Sequence, residues 1–422
     1  MSLDIRPVVM VGIIMLVLAL ALLSTDALGD EENSKQPEDW EKRLEMLRSV
    51  PYLSYSEDSI DESDTCVVLH YPEKTCEGYN FYCTRASGQA FLLNMNGQVV
   101  HRWTYPPREA NSRGEDYAVM LGNGDLLVLI KRTELLRINW DSELIWRRKL
   151  LVHHEVAPAP DGSLYTIILD NRDYKGMAVK FDAIVHLAAN GREIGRWYIY
   201  DHLAELKGAL DTRSFFDTVL HNVLIGRSGE KLEHLKEKLG NVDRYDYFHM
   251  NTISVLPATT LGERDSRFEA GNLLVCFRNV NQIAVLQKGT YRVLWAWGEG
   301  QLEWPHHPTM LENGHILIFD NGTQRKYSRV IELDPSAEAI VWEYTAEPPE
   351  DFYSFLRGSA QRLPNGNTLI CESDNGRVFE VTEEGEIVWM WLNPSTQKGH
   401  REAIYRMLRL PSTQVNQLLT RQ

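Results

Sequence analysis

The sequence predicts an all-β protein built as a six-bladed β-propeller, and three observations predict it. A short apolar strand, a turn holding glycine or an acidic residue, and a second strand ending on tryptophan recur together. The copies lie at 92–103, 136–146, 185–197, 285–295, 331–342 and 379–389. Further hairpins are marked by Asn123-Gly124, Asp161-Gly162, Asn313-Gly314 and Asn365-Gly366, because glycine accepts the positive φ that a tight hairpin turn demands. The copies return about every 45 residues, the period of a four-stranded blade rather than of a helical repeat. Six such units closed into a ring leave no sheet edge exposed.

Taken in order, residues 1–29 read as a signal peptide or N-terminal membrane anchor, 30–62 as an acidic stalk, and 63–415 as the propeller. The apolar run from Val8 to Leu23 follows Arg6 and precedes Asp26, Asp30, Glu31 and Glu32. That charge asymmetry predicts that the bulk of the chain lies outside the cytoplasm. At 16 residues the run falls between a signal-peptide core and a spanning helix. Ala27-Leu28-Gly29 offers a cleavage site, but the acidic stretch behind it reads as a stalk. The expectation is therefore a periplasmic or otherwise extracytoplasmic propeller tethered to the inner membrane by residues 8–23.

The interval from Trp197 to Trp295 is about twice the others, so the third blade carries an insertion at about 201–246. Leu203, Leu206 and Leu210, and later Leu232, Leu235 and Leu239, fall near helical spacing, with Glu233, Lys236, Glu237 and Lys238 on the other face. The insert reads as a solvated decoration of the rim. The functional alternative is a lid or a homodimer contact, since the insert ends directly before His249.

Composition fits a large globular core: 422 residues, 43% hydrophobic and 10% aromatic. A net charge of −15, with no Lys/Arg stripe among the aromatics, argues against a nucleic-acid partner. Of the five cysteines, Cys66, Cys76 and Cys83 cluster near the first strand, and a disulfide between two of them is expected. Cys276 and Cys371 sit in strand-like runs and read as buried small apolar residues. No cysteine spacing matches a zinc motif, and neither a metal nor a cofactor is expected.

Three separated segments each deliver a histidine to an equivalent place in the repeat. They are His153-His154-Glu155 ahead of Asp161-Gly162, His249-Met250-Asn251 ahead of 271–275, and His306-His307-Pro308 ahead of Asn313-Gly314. Three equivalent positions point to one shared channel site. Neighbours on a strand face opposite ways, so one member of each pair faces the channel, and His154 and His306 are preferred over His153 and His307. The isolated His70, His101, His186, His202, His221, His234, His315 and His400 read as surface or core residues, and the repeated tryptophans as blade packing.

The segments Gly78-Tyr79-Asn80-Phe81-Tyr82, 90–103, His153-His154-Glu155, His249-Met250-Asn251, 278–285, His306-His307-Pro308 and Phe319-Asp320-Asn321-Gly322 occur in one order from about residue 66 to 410. In that order they resemble the bacterial arylsulfotransferases, PAPS-independent enzymes that move a sulfuryl group between aryl sulfates and phenols. The resemblance implies a ping-pong transfer in which His306 attacks sulfur and is transiently N-sulfurylated. It implies further catalytic roles for His249 as acid and base, His154 as a donor and Arg278 as a fork for the sulfate oxygens. Substrate contacts are expected from Asn251, His153, His307, Asp320 and Asn321. The chemistry is consistent with that set, because sulfuryl transfer gathers negative charge on peripheral oxygens and on a leaving phenolate. It needs cationic donors and one neutral nitrogen. The position after the nucleophile is often acidic in that family, whereas here it is His307. Arg357 and Arg406 are expected in structural ion pairs. Two other readings stand beside this one: a metalloenzyme ligated by the three histidines with Glu155 or Asp320, and a non-catalytic binding propeller.

Overall fold

A computed structural model of the chain describes residues 66–84, 88–106, 116–174, 177–210, 245–397 and 400–420. These form six antiparallel blades, each with an inner strand and three strands stacked outward. The inner strands are Met407–Leu410, Tyr117–Met120, Val152–Pro158, Met250–Val255, His306–Met310 and Ser359–Arg362 for blades one to six. Each packs beside the inner strand of the next from blade two round to blade one, and this places their starts around a common channel.

Second and third strands such as Leu126–Ile130, Leu273–Phe277, Gln282–Leu286, Ile316–Asp320 and Thr368–Glu372 are buried at every residue. A strand covered on both faces by neighbouring blades reads as a continuous apolar run rather than an alternating one. The outermost strands, Leu144–Lys149 for example, are largely exposed.

The repeated tryptophans Trp103, Trp146, Trp197, Trp295, Trp342 and Trp389 all lie on the fourth strand of their blades, counted from the channel. Three donate their indole N–H to a backbone carbonyl in the outer turn of the following blade: Trp146 to Ala189 at 3.0 Å, Trp342 to Glu383 at 2.9 Å and Trp389 to Met95 at 3.0 Å. In blade one the same link is made by His101 Nε2, which donates to the Trp140 carbonyl at 3.0 Å while its ring stacks on Trp140. In blades two, five and six the tryptophan is thus a latch between blades, whereas the indole N–H groups of Trp103, Trp197 and Trp295 are buried without a hydrogen-bond partner.

Both sequence ends of the described chain close the ring. Met407–Leu410 pairs with Tyr79–Cys83 to complete blade one from inside. Cys66–His70 pairs with Ile387–Leu392 to add a fifth, outer strand to blade six. The expected disulfide is not formed. Cys66, Cys76 and Cys83 are all free, as are Cys276 and Cys371. The Cys83 thiol instead donates to the Asp116 carbonyl at 3.3 Å.

Leu203–Ala209 is an α-helix leading out of blade three. The expected anchor and stalk, and 211–244 of the expected insert, lie outside the described residues. Among the described residues no helix is long and apolar enough to cross a membrane.

Candidate active site

In blades three, four and five the inner strand is bulged at its start. In blade three His153 faces Ile167 and Val156 faces Thr166, so His154 and Glu155 are extra. In blade four Met250 faces Phe277 and Thr252 faces Cys276, leaving Asn251 over. In blade five His306 faces Phe319 and Thr309 faces Leu317, so two residues oppose one. His154, His249, Trp304 and His307 take φ of 60°, 52°, 56° and 48°, uncommon for residues with a Cβ. A bulge re-aims side chains, and here it replaces the simple alternation expected for the paired histidines.

The side chains of His154, His249 and His306 meet in a small, partly open cavity lined also by Lys131, Arg278, Leu356, Arg357 and Tyr405. All four expected catalytic residues are there. His306 Nδ1 lies 2.7 Å from Asn321 Oδ1 and 3.0 Å from the Trp304 carbonyl. The Asn321 amide nitrogen donates to the carbonyls of Ser354 and Arg357, at 2.6 and 2.8 Å, which orients its oxygen toward His306. Both partners of Nδ1 are acceptors, so Nδ1 carries the proton and Nε2 holds a lone pair. Burial, helped by the nearby Arg278 charge, pushes His306 down to about 3 and keeps the ring neutral at neutral pH.

His249 Nδ1 bonds Asp246 Oδ2 at 2.6 Å, and its Nε2 is buried without a protein partner. Burial and then Arg278 bring His249 to about 3 against the opposing pull of Asp246. Burial alone would raise the Asp246 carboxyl, but His249 and Arg278 outweigh it and hold it below its ordinary value. Arg278 follows the strand Leu273–Phe277, and its guanidinium lies 4.4 Å over the Trp304 ring and bonds Asn279 Oδ1 through Nε and Nη2. The His154 and His249 rings stand 4.7 Å apart. Burial, and then Lys131 and His249, push His154 well below its usual value.

None of the five expected substrate contacts is among the residues that line the cavity. Asn251 donates to the Pro305 carbonyl at 2.9 Å and steadies the turn before His306. His153 contacts His154 and Asp182 behind the cavity wall. His307 takes its backbone N–H to Thr252 and its Nδ1 to the Ala360 carbonyl, each at 3.1 Å, joining blades four, five and six. Asp320 is fully buried between Arg325 and Arg329, 2.9 Å from each. Asn321 touches His306 rather than the cavity.

The sequence reading did not single out Lys131, Leu356, Tyr405 or Asp246, although a lysine ending the buried strand Leu126–Ile130 was a usable signal, since buried lysines are rare. Arg357 and Arg406 are ion-paired as expected, with Asp374 and Glu155, and Arg357 also lines the cavity. Glu155 is thus committed to Arg406. Among the described residues no group of three or more His, Cys, Asp or Glu side chains is placed to hold a metal ion.

A family model described as arylsulfotransferase (ASST) matches residues 117–393 of this chain. No curated protein matches it. Among solved structures, a protein of unknown function from Bacteroides caccae is 13% identical, with 78% of this chain and 98% of that one covered and a TM-score of 0.49. A streptogramin B lyase is 10% identical, with 82% and 87% covered and a TM-score of 0.42. A virginiamycin B lyase from Staphylococcus aureus is also 10% identical, with 79% and 86% covered and a TM-score of 0.42.

Proposed function

Since the chain belongs to the arylsulfotransferase family, we propose that it moves a sulfuryl group from a phenolic sulfate ester to a second phenol through a sulfohistidine at His306. The observation that carries this reading is the tautomer of His306: both acceptors sit on Nδ1, so Nε2 is a neutral nucleophile. In the first half-reaction the Nε2–S bond forms, the bond from sulfur to the aryl oxygen breaks, and the electron pair leaves with the phenolate. Arg278, Lys131 and Arg357 supply positive charge for the three peripheral oxygens. A bound sulfate ester brings negative charge beside His249, which favours its protonated form. The His249–Asp246 pair then gives its proton to the leaving phenolate. In the second half-reaction it takes the proton of the acceptor phenol, whose oxygen displaces His306 from sulfur.

The apolar run at 8–23 and its acidic flank support an extracytoplasmic propeller tethered to the inner membrane. Protease added to spheroplasts should digest it, and protection would refute that placement.

The activity is tested with purified protein, 4-nitrophenyl sulfate and a phenol, following nitrophenol release and acceptor sulfation together. Wild-type protein should give a burst of nitrophenol of one equivalent, and His306→Gln should give neither burst nor turnover. Wild-type turnover by His306→Gln would exclude a covalent histidine.

A further inference from the structure

Behind the cavity wall of blade three, three buried or half-buried polar groups run in a line that the reaction as written above does not use. His154 Nδ1 lies 2.6 Å from His153 Nδ1. His153 Nε2 lies 3.1 Å from Asp182 Oδ1, and the other carboxylate oxygen, Oδ2, accepts the backbone N–H of Met250 at 2.7 Å. His153 and Asp182 are each only 2% exposed, so water does not stand in for any of these partners.

A nitrogen–nitrogen contact of this length needs one donor and one acceptor. Burial pushes the Asp182 carboxyl up, opposed by His153 and by the Met250 N–H. As a carboxylate it can only accept, and although the 3.1 Å contact lies off the line of a regular N–H···O bond, the His153 proton then belongs on Nε2. That leaves a lone pair on His153 Nδ1, and the shared proton must come from His154 Nδ1. We propose that Asp182 and His153 are positioning residues that hold His154 in its Nδ1–H tautomer, leaving a bare Nε2 available to the cavity as a hydrogen-bond acceptor. The sequence reading gave His154 the opposite part, a donor. The inference rests on the sulfuryl-transfer reading only for what the acceptor is used for, which is to accept a hydrogen bond from the incoming phenol and align its oxygen while His249 takes the proton. Because Asp182 also holds Met250, next to His249, one carboxylate sets the position of both histidines.

The logic of the chain predicts its own inversion. In Asp182→Asn the side-chain oxygen remains the acceptor for the Met250 N–H, which turns the amide nitrogen toward His153. His153 must then offer a lone pair at Nε2 and a proton at Nδ1, and His154 is left with its proton on Nε2. A donor replaces an acceptor in the cavity with almost no change of shape.

The test is a long-range proton–nitrogen correlation spectrum of the full chain with nitrogen-15 histidine, with the rings assigned by loss of signal in His153→Gln and His154→Gln. In the wild type His154 should be protonated on Nδ1 and His153 on Nε2, and Asp182→Asn should exchange both patterns. His154 protonated on Nε2 in the wild type would overturn the proposal, as would a relay run backwards from a protonated Asp182. Unchanged tautomers in Asp182→Asn would overturn it as well. If Asp182→Asn does not fold, His153→Leu removes the acceptor of His154 Nδ1–H, and persistence of that tautomer in His153→Leu is equally fatal. These readouts need no turnover, so they fail or succeed separately from the sulfuryl-transfer reading. Under that reading Asp182→Asn should also keep the nitrophenol burst while acceptor-dependent turnover falls about tenfold to a hundredfold, the cost of facing the phenol with a donor in place of an acceptor.

Discussion

Asn321 Oδ1 sits 2.7 Å from His306 Nδ1, and the same amide donates to the carbonyls of Ser354 and Arg357. One side chain thereby ties blade five to blade six and fixes which nitrogen of His306 is bare. Asn321→Leu should keep KM near wild type while kcat falls about tenfold to a hundredfold, the loss of one or two buried hydrogen bonds. Asn321→Asp should behave differently. A carboxylate against Nδ1–H favours the imidazolium, so the His306 pKa rises from about 3. The acidic limb of the kcat/KM profile then moves to higher pH.

Arg278 touches the chemistry twice, as a cation in the cavity and as the charge that, after burial, most lowers both His249 and His306. Arg278→Ala should lower kcat by about 100- to 1,000-fold, or roughly 3–4 kcal/mol of transition-state stabilisation, without abolishing turnover. The same variant should shift the acidic limb upward, because both histidines regain basicity. Arg278→Lys should restore part of the rate, though not the planar fork.

His307 bonds backbone groups of blades four and six and stays out of the cavity. His307→Ala should leave the nitrophenol burst intact and destabilise the fold by about 1–3 kcal/mol, the cost of a stranded buried carbonyl and a lost ring. A dead but folded His307→Ala would pass the nucleophile's role to that residue.

Arg406 and Glu155 form a buried pair at 2.9 Å, with Tyr117 Oη bonding the same guanidinium. Arg406→Met should cost about 3–5 kcal/mol because a carboxylate is left buried alone. Adding Glu155→Gln should recover part of that loss in a denaturant titration, whereas two independent contacts would give additive losses.

The blades were legible because they repeat a hairpin glycine, which the positive φ of the turn demands, and a tryptophan on the fourth strand. The histidines were legible because they recur at the same point of three blades. What the sequence did not reveal were their partners. Asp182 is 68 residues from Met250 and Asn321 is 33 from Ser354, and such pairings exist only once the ring closes. The alternation rule says only that one member of each histidine pair faces the channel, and the bulges, rather than a regular pleat, set which of them lines the cavity. Nor do the partners of Asp320 show in the sequence, since Arg325 and Arg329 look there like ordinary loop charges.

The bulges also divide the ring into two kinds of blade. Inner strands of blades one, two and six pair with their neighbours in unbroken register, whereas those of three, four and five each carry surplus residues where the histidines sit. Transplanting a histidine to the matching position of blade two or six would therefore leave it on a regular pleat, aimed as its neighbours are. To create a fourth channel histidine, an engineer would have to lengthen the strand by a residue before changing any side chain.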